Sequence, residues 1–197
     1  MGFRMEIGDL QGLQAHVPEV LGRRRKKVSR FFTVEELDLR FSNGQERTYE
    51  KLVGGNGAVE IVPWDGKHFL MTAEYACGFE RYELGFVKGK IDGGETPEQA
   101  CERELEEEIG YGFTDCIKLK DVMKVAPGML SLRMHSFLCT GIYEKKLDSG
   151  DEPEPIDLIK VSPEEARQLV FDPHSPLTES RAIACLALAM HALGMLR

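Results

Sequence analysis

The sequence predicts a mixed α/β protein whose helices cover a sheet, and three observations carry that prediction. Period-two segments crowd the first half of the chain. Two capping-box signatures, Thr96-Pro97-Glu98-Gln99 and Ser162-Pro163-Glu164-Glu165, mark helix starts. An alanine- and leucine-rich segment over Glu179–Leu196 reads as a third, well-buried helix. At 197 residues, with 42% hydrophobic and 29% charged, the chain can build one sizeable core.

Met1–Gly22 show no firm periodicity, and the basic run Leu21–Lys27 reads as a solvated arm. Residues 1–27 are therefore expected to form an N-terminal arm on a domain spanning 28–197. Glu36, Asp38 and Arg40 alternate with Leu37, Leu39 and Phe41, the pattern of a half-buried strand. Asn43-Gly44 follows as a hairpin signal, because both residues tolerate positive φ. Further strands are expected at Ala58–Pro63, His68–Tyr75 and Tyr82–Val87. The central helix opens at Thr96, with Pro97 in its first turn and Gln99 completing the capping box, and stops at Gly110. Strands resume over Ile117–Val125 and Met134–Ile142, and a second helix runs from Ser162 to about Val170.

A net charge of −8 argues against general nucleic-acid binding, which draws on Lys and Arg displacing counterions. No apolar run reaches the roughly 20 residues that span a bilayer, and the N-terminus lacks the marks of a signal peptide, so no membrane contact and a cytoplasmic location are expected. Cys77, Cys101, Cys116, Cys139 and Cys185 are odd in number, widely spaced and mostly in apolar context. They read as buried thiols rather than a disulfide framework or a zinc site.

The chemistry concentrates in GKIDGGETPEQACERELEEEIGY, Gly89–Tyr111, where seven acids fall between Glu95 and Glu108. On a helix Glu104, Glu107 and Glu108 stand at i, i+3 and i+4 and share a face, beside an apolar stripe of Cys101, Leu105 and Ile109. Glu102 and Glu106 are expected to point to solvent. Three carboxylates on one face suit Mg²⁺ or Mn²⁺, and Arg103, one turn before Glu107, can bridge to it. Gly89, Gly93 and Gly94 allow the preceding loop a tight path near an ion or phosphate.

These residues resemble the Nudix hydrolase box: Gly89, Glu95, Arg103, Glu104, Leu105, Glu107, Glu108 and Gly110 fall at its spacing, and only Tyr111 departs, being aromatic at an aliphatic position. RFFTVEELDLRFSNGQERTYEKL, EYACGFERYELGFVKGKIDGGE and GDEPEP are similar to the ADP-compounds hydrolase, NudE-type, branch. The resemblance implies an α/β/α sandwich with a mixed sheet and an N-terminal antiparallel strand elaboration. It also implies Mg²⁺-assisted hydrolysis of an ADP-linked compound such as ADP-ribose, giving AMP. Enzymes preferring NADH or diadenosine polyphosphates are the alternative, as is a non-catalytic ADP-ribose sensor.

Carried over by position, Glu104, Glu107, Glu108 and the Lys88 carbonyl are metal ligands, and Glu107 is also counted as catalytic. Gly89, Glu95, Arg103 and Gly110 are structural. Pro127 stands sixteen residues past the box, as in ADP-ribose-cleaving members. Ala73 occupies a position where the resemblance leads one to expect an arginine, so that substrate contact is either lost or supplied by Arg81 or by the N-terminal strands; Arg81, Glu83 and Tyr75 are the candidate substrate-binding residues. Phe32, Tyr75 and Tyr82 are candidates to stack an adenine. The acidic loop Ser149–Pro155 supplies the general base from Glu152 or Glu154, both kept extended by the following prolines. Related enzymes also imply a homodimer, with residues 28–57 contributing to its interface.

Overall fold

The computed structural model describes residue 12, residues 16–145 and residues 156–196. The chain divides into two compact units, one of residues 1–54 with 126–131, the other of residues 55–125 with 132–197.

The first unit is an antiparallel meander of β1 (Glu19–Lys27), β2 (Thr33–Arg40) and β3 (Glu46–Leu52). The basic run read as a solvated arm is in fact most of β1. Its arginines find acids across the ladder: Arg25 faces Glu35 in register, and Arg24 binds Glu36 at 2.9 Å and Asp38 at 2.5 Å. Cross-strand pairing of opposite charges gives a strand where hydrophobic alternation is absent. Glu35, only 1% exposed, is held by Arg25 at 2.5 Å, Arg23 at 2.8 Å and Lys51 at 3.0 Å. These bonds, from Arg25 first and then Lys51, draw its carboxyl down to about 2. The β2–β3 turn falls at the expected Asn43-Gly44, with Gly44 alone at positive φ while the Asn43 side chain accepts from the Gln45 amide.

In the second unit β4 (Ala58–Pro63), β7 (Val87–Lys90), β9 (Asp115–Lys124) and β10 (Arg133–Thr140) form a mixed sheet in the order β7-β4-β10-β9. Its central pair, β4 and β10, is parallel, and the outer pairings are antiparallel. Alternation along these two strands builds a core on each face. Val59, Ile61, Phe137 and Cys139 pack with Ala100, Cys101 and Leu105 of helix α1 (Pro97–Ile109). Val62 and Leu138 pack on the opposite face with Ala182, Cys185, Leu186, Ala189 and Met190 of helix α3 (Ser180–Ala192). The sheet between these helices gives the α/β/α layering.

A second sheet of order β12-β5-β6 joins β12 (Asp157–Val161), β5 (Phe69–Ala76) and β6 (Arg81–Gly85), and helix α2 (Pro163–Phe171) follows β12. Short strands β8 (Tyr111–Gly112) and β11 (Tyr143–Glu144) pair beside α1. The single strand expected at Tyr82–Val87 is two strands in two sheets. The break is at Phe86, fully buried in the α3-side core, where the chain leaves β5 as partner and takes up β4.

Candidate active site

Helix α1 builds the site, and local chemistry fixes its limits. Thr96 accepts from the Gln99 amide at 3.2 Å, and the Gln99 side chain accepts from the Thr96 amide at 2.8 Å. Gly110 closes the helix in the left-handed region at φ 70°. The helix buries Ala100, Cys101, Glu104 and Leu105, so the Glu104 carboxylate is drawn into its packed face. Gly89 of β7 lies against it, and a Cβ there would overlap the Glu104 carboxyl. Glycine at this position is what allows strand and carboxylate to approach.

Arg103 organises the surrounding acids. Its Nε and Nη2 each donate to a Glu95 oxygen at 2.9 Å, Nη2 also donates to the Lys90 carbonyl at 2.9 Å, and Nη1 donates to Glu104 at 2.7 Å and Glu107 at 3.1 Å. Glu95 accepts from the Asp92 amide at 3.0 Å as well. One planar guanidinium thus ties the glycine loop to the helix and orients two of the three carboxylates. Its hydrogen bonds hold the Glu95 carboxyl below its ordinary value.

Glu108 is placed differently. Its Oε2 is buried without a hydrogen-bond partner, and burial first, then the charge of Glu74, lift its carboxyl to about 8. Burial also raises Glu104, against the pull of Arg103. Carboxyls lifted by desolvation, one with an orphaned oxygen and one cradled on a glycine strand, suit a hard divalent cation with oxygen ligands. The three do not yet close on a single point: among the described residues, the group of such donors whose atoms all lie within 4.8 Å is Cys101, Cys116 and Cys139. Glu107 instead borders an open depression of about 320 Å³ with Gln99, Glu102, Arg103 and Glu106. Glu106, expected in solvent, is half-buried because Lys145 binds it at 2.8 Å, and Lys145 also reaches the exposed Glu102 at 3.6 Å.

The Lys88 side chain donates to Glu74 at 2.8 Å, and Thr72 donates to the other Glu74 oxygen at 2.9 Å. Beside Lys88, as its register partner on β4, lies Glu60, fully buried, with neither carboxylate oxygen partnered. Burial, and then the charge of Glu179, push it up to about 7, opposed by Arg181 and Lys88. Sequence reasoning missed both Glu60 and Glu74. A lone acid inside the apolar strand AVEIVP was the available signal for Glu60. Nothing in the sequence aligns Glu74 with Lys88, which requires the β5–β6 and β4–β7 ladders together.

The other candidates stand on the β5–β6 hairpin. Tyr75 and Tyr82 are register partners, both more than half exposed, in an edge contact at 5.8 Å and 73°. Arg81 donates to Glu83 at 2.5 Å, and the Thr178 hydroxyl donates to the other Glu83 oxygen at 2.9 Å. These bonds, Arg81 first, hold Glu83 below its ordinary value. Phe32 and Pro127 belong to the first unit, Pro127 in a turn closed by hydrogen bonds from Met129 and Leu130 to the Ala126 carbonyl. Glu152 and Glu154 lie outside the described residues.

A glutamate-rich helix on one face of a mixed sheet, entered through a glycine loop and braced by an arginine, is an arrangement suited to the class of hydrolases that use a divalent cation. Comparison with known proteins gives the family. Residues 18–51 match the NudE-type Nudix hydrolase N-terminal domain, and residues 56–180 match the NUDIX domain. The ADP compounds hydrolase NudE of Escherichia coli (strain K12) is 41% identical over 172 residues, covering 87% of this chain and 90% of that protein. The ADP-ribose pyrophosphatase of Bacillus subtilis (strain 168) is 32% identical over 137 residues, covering 68% of this chain and 72% of that protein. A crystal structure of an ADP compounds hydrolase superposes with a TM-score of 0.81 at 38% identity, covering 91% of this chain and 97% of that one. The chain belongs to the Nudix hydrolase family.

Proposed function

We propose that this protein hydrolyses the pyrophosphate bond of ADP-linked compounds such as ADP-ribose, releasing AMP and a second phosphorylated moiety, with Mg²⁺ as its cation and Mn²⁺ as a substitute. The observation that carries the reading is the Arg103-braced helix with Glu104 against Gly89 and the orphaned Glu108 oxygen. The resemblance over nearly the whole length of an ADP compounds hydrolase supports the choice of nucleotide.

Glu104, Glu107, Glu108 and the Lys88 carbonyl would hold the cation, which when bound neutralises phosphate charge and lowers the pKa of a water. Arg103 and Glu95 position these ligands. Glu152 or Glu154 takes the proton from the attacking water. Tyr75 and Tyr82 offer aromatic faces to an adenine, while Arg81, oriented by Glu83, meets the phosphate-ribose portion. The protein acts as a homodimer through residues 28–57, where Phe31, Phe32 and Tyr49 leave apolar surface exposed. Five unpaired thiols suit a cytoplasmic location.

The test is AMP release from ADP-ribose, NADH, ADP-sugars and diadenosine triphosphate with Mg²⁺. ADP-ribose or ADP-sugar cleavage supports the reading, whereas tight binding of the whole panel without release makes the protein a sensor. Glu152→Gln and Glu154→Gln, compared at saturating Mg²⁺, decide the base. If neither slows turnover even about tenfold, well short of the roughly 10²–10⁴-fold that general-base catalysis typically contributes, the base lies elsewhere.

A further inference from the structure

The three sulfurs of Cys101, Cys116 and Cys139 come together on the α1 face of the mixed sheet, and hydrolysis makes no use of them. The Cys139 Sγ lies 3.5 Å from that of Cys101 and 3.6 Å from that of Cys116, and all three atoms fall within 4.8 Å of one another. They come from three elements: α1, the start of β9 and the end of β10, where Cys116 and Cys139 are register partners. Cys101 and Cys139 are buried and Cys116 is half-buried, so the group is enclosed on the core side and open at one corner.

We infer that Cys101, Cys116 and Cys139 form a binding site for a soft, thiophilic metal ion of low coordination number, of the Cu(I) type, separate from the carboxylate site. Geometry supports this directly. Metal–thiolate bonds of about 2.3 Å place three sulfurs roughly 3.8–4.0 Å apart in tetrahedral or trigonal arrangement. The observed spacings are within a few tenths of an ångström of that for two pairs, and the third pair lies no more than 4.8 Å apart, so it has about 1 Å at most to close.

Softness decides the ion class. Thiolates select Cu(I) and Zn²⁺ over the hard Mg²⁺ that suits carboxylates, so the two sites on α1 do not compete for one metal. Zinc in structural sites asks for four protein ligands, and among the described residues no fourth carboxylate, imidazole or thiol joins this group. A trigonal ion needs none. Electrostatics favours a thiolate at the accessible corner: S–H donation by Cys101 and then Cys139 lowers the Cys116 thiol, with Lys118 adding to it, while hydrogen bonding to Cys116 and Cys139 and burial keep Cys101 high. Binding therefore starts at Cys116 and releases protons from the inner thiols. It would clamp α1 to β9 and β10 three residues before Glu104.

The test is anaerobic titration of the folded protein, in a Cys77→Ser background that removes the exposed lone thiol, with Cu(I) against a competing chromophoric chelator. One equivalent should be retained, X-ray absorption should count three sulfurs around copper, and the melting temperature should rise. Cys116→Ser, at the half-buried corner, and separately Cys139→Ala should each lower retention at least tenfold. Retention unchanged in both variants, a two-sulfur environment, or no retention by the parent protein would each overturn the site.

Discussion

Glu60 offers a sharp test of the energetics, because it is fully buried with both oxygens unpartnered. Its carboxyl rises from an ordinary 4.5 to about 7, burial being the main cause. Below pH 4.5 the folded and unfolded chains are both protonated there, and the group costs nothing. As pH rises from 4.5 to 7 the unfolded chain gains by ionising while the folded one holds its proton, so stability falls and then levels off. The gap of 7 − 4.5 = 2.5, at about 1.36 kcal/mol each, makes the full penalty about 3 kcal/mol above pH 7. Glu60→Gln keeps the shape and removes the charge. It should match the parent near pH 4 and exceed it by about 3 kcal/mol at pH 8. Urea unfolding with a chelator present reads the difference as a shift in midpoint at constant slope. If Arg181 and Lys88 instead hold Glu60 as a favourable carboxylate, the variant will lose stability at pH 8, and that result would refute the reasoning.

Three further outcomes follow from the site and the first unit. Gly89→Ala forces the Glu104 carboxyl aside and should weaken Mg²⁺ binding by roughly 10–100-fold, the range for disturbing ligand orientation, as measured by Mg²⁺ dependence of turnover. Because Glu108 sits at about 8, a cation that binds it as proposed would have to displace its proton; Mg²⁺ affinity by calorimetry should climb from pH 6.5 to pH 8.5 and then level, and a flat profile would separate Glu108 from the cation. Glu35, drawn down to about 2 chiefly by Arg25 and Lys51, contributes stability above pH 4.5 that is lost as pH falls toward 2. Glu35→Gln should therefore speed hydrogen exchange in β1 and β2 at pH 7, and unchanged exchange would show the ladder to be held by its other pairs.

The elements that sequence reasoning placed well are those whose signals are local. The Thr96 and Ser162 capping boxes and the Gly110 stop lie within a turn of the backbone they govern, and both helices begin within a residue of expectation. The Arg103–Glu95 pairing sits inside one motif at fixed spacing. What failed depends on partners far along the chain. β1 has no apolar alternation and exists because acids on β2 face its arginines. β12 was not anticipated, since Asp157–Val161 acquires its role by lying against β5. The split at Phe86 was hidden because both halves read as strand, and only the distribution of β5 and β4 over two sheets separates them. Glu74 meets Lys88 for the same nonlocal reason.

Arg103 has a consequence for how the ion arrives. A guanidinium bonded to Glu104 and Glu107 means that the acidic face already carries a resident counter-charge before any divalent cation binds. Three bare carboxylates would attract an ion from a distance and lose most of that attraction in salt. Here part of the long-range field is cancelled at its source, so capture of a divalent cation would depend on short-range ligation more than on steering. Its affinity should fall more gently with ionic strength than the local count of glutamates suggests, and the same arginine ties the helix to the glycine loop with no cation present.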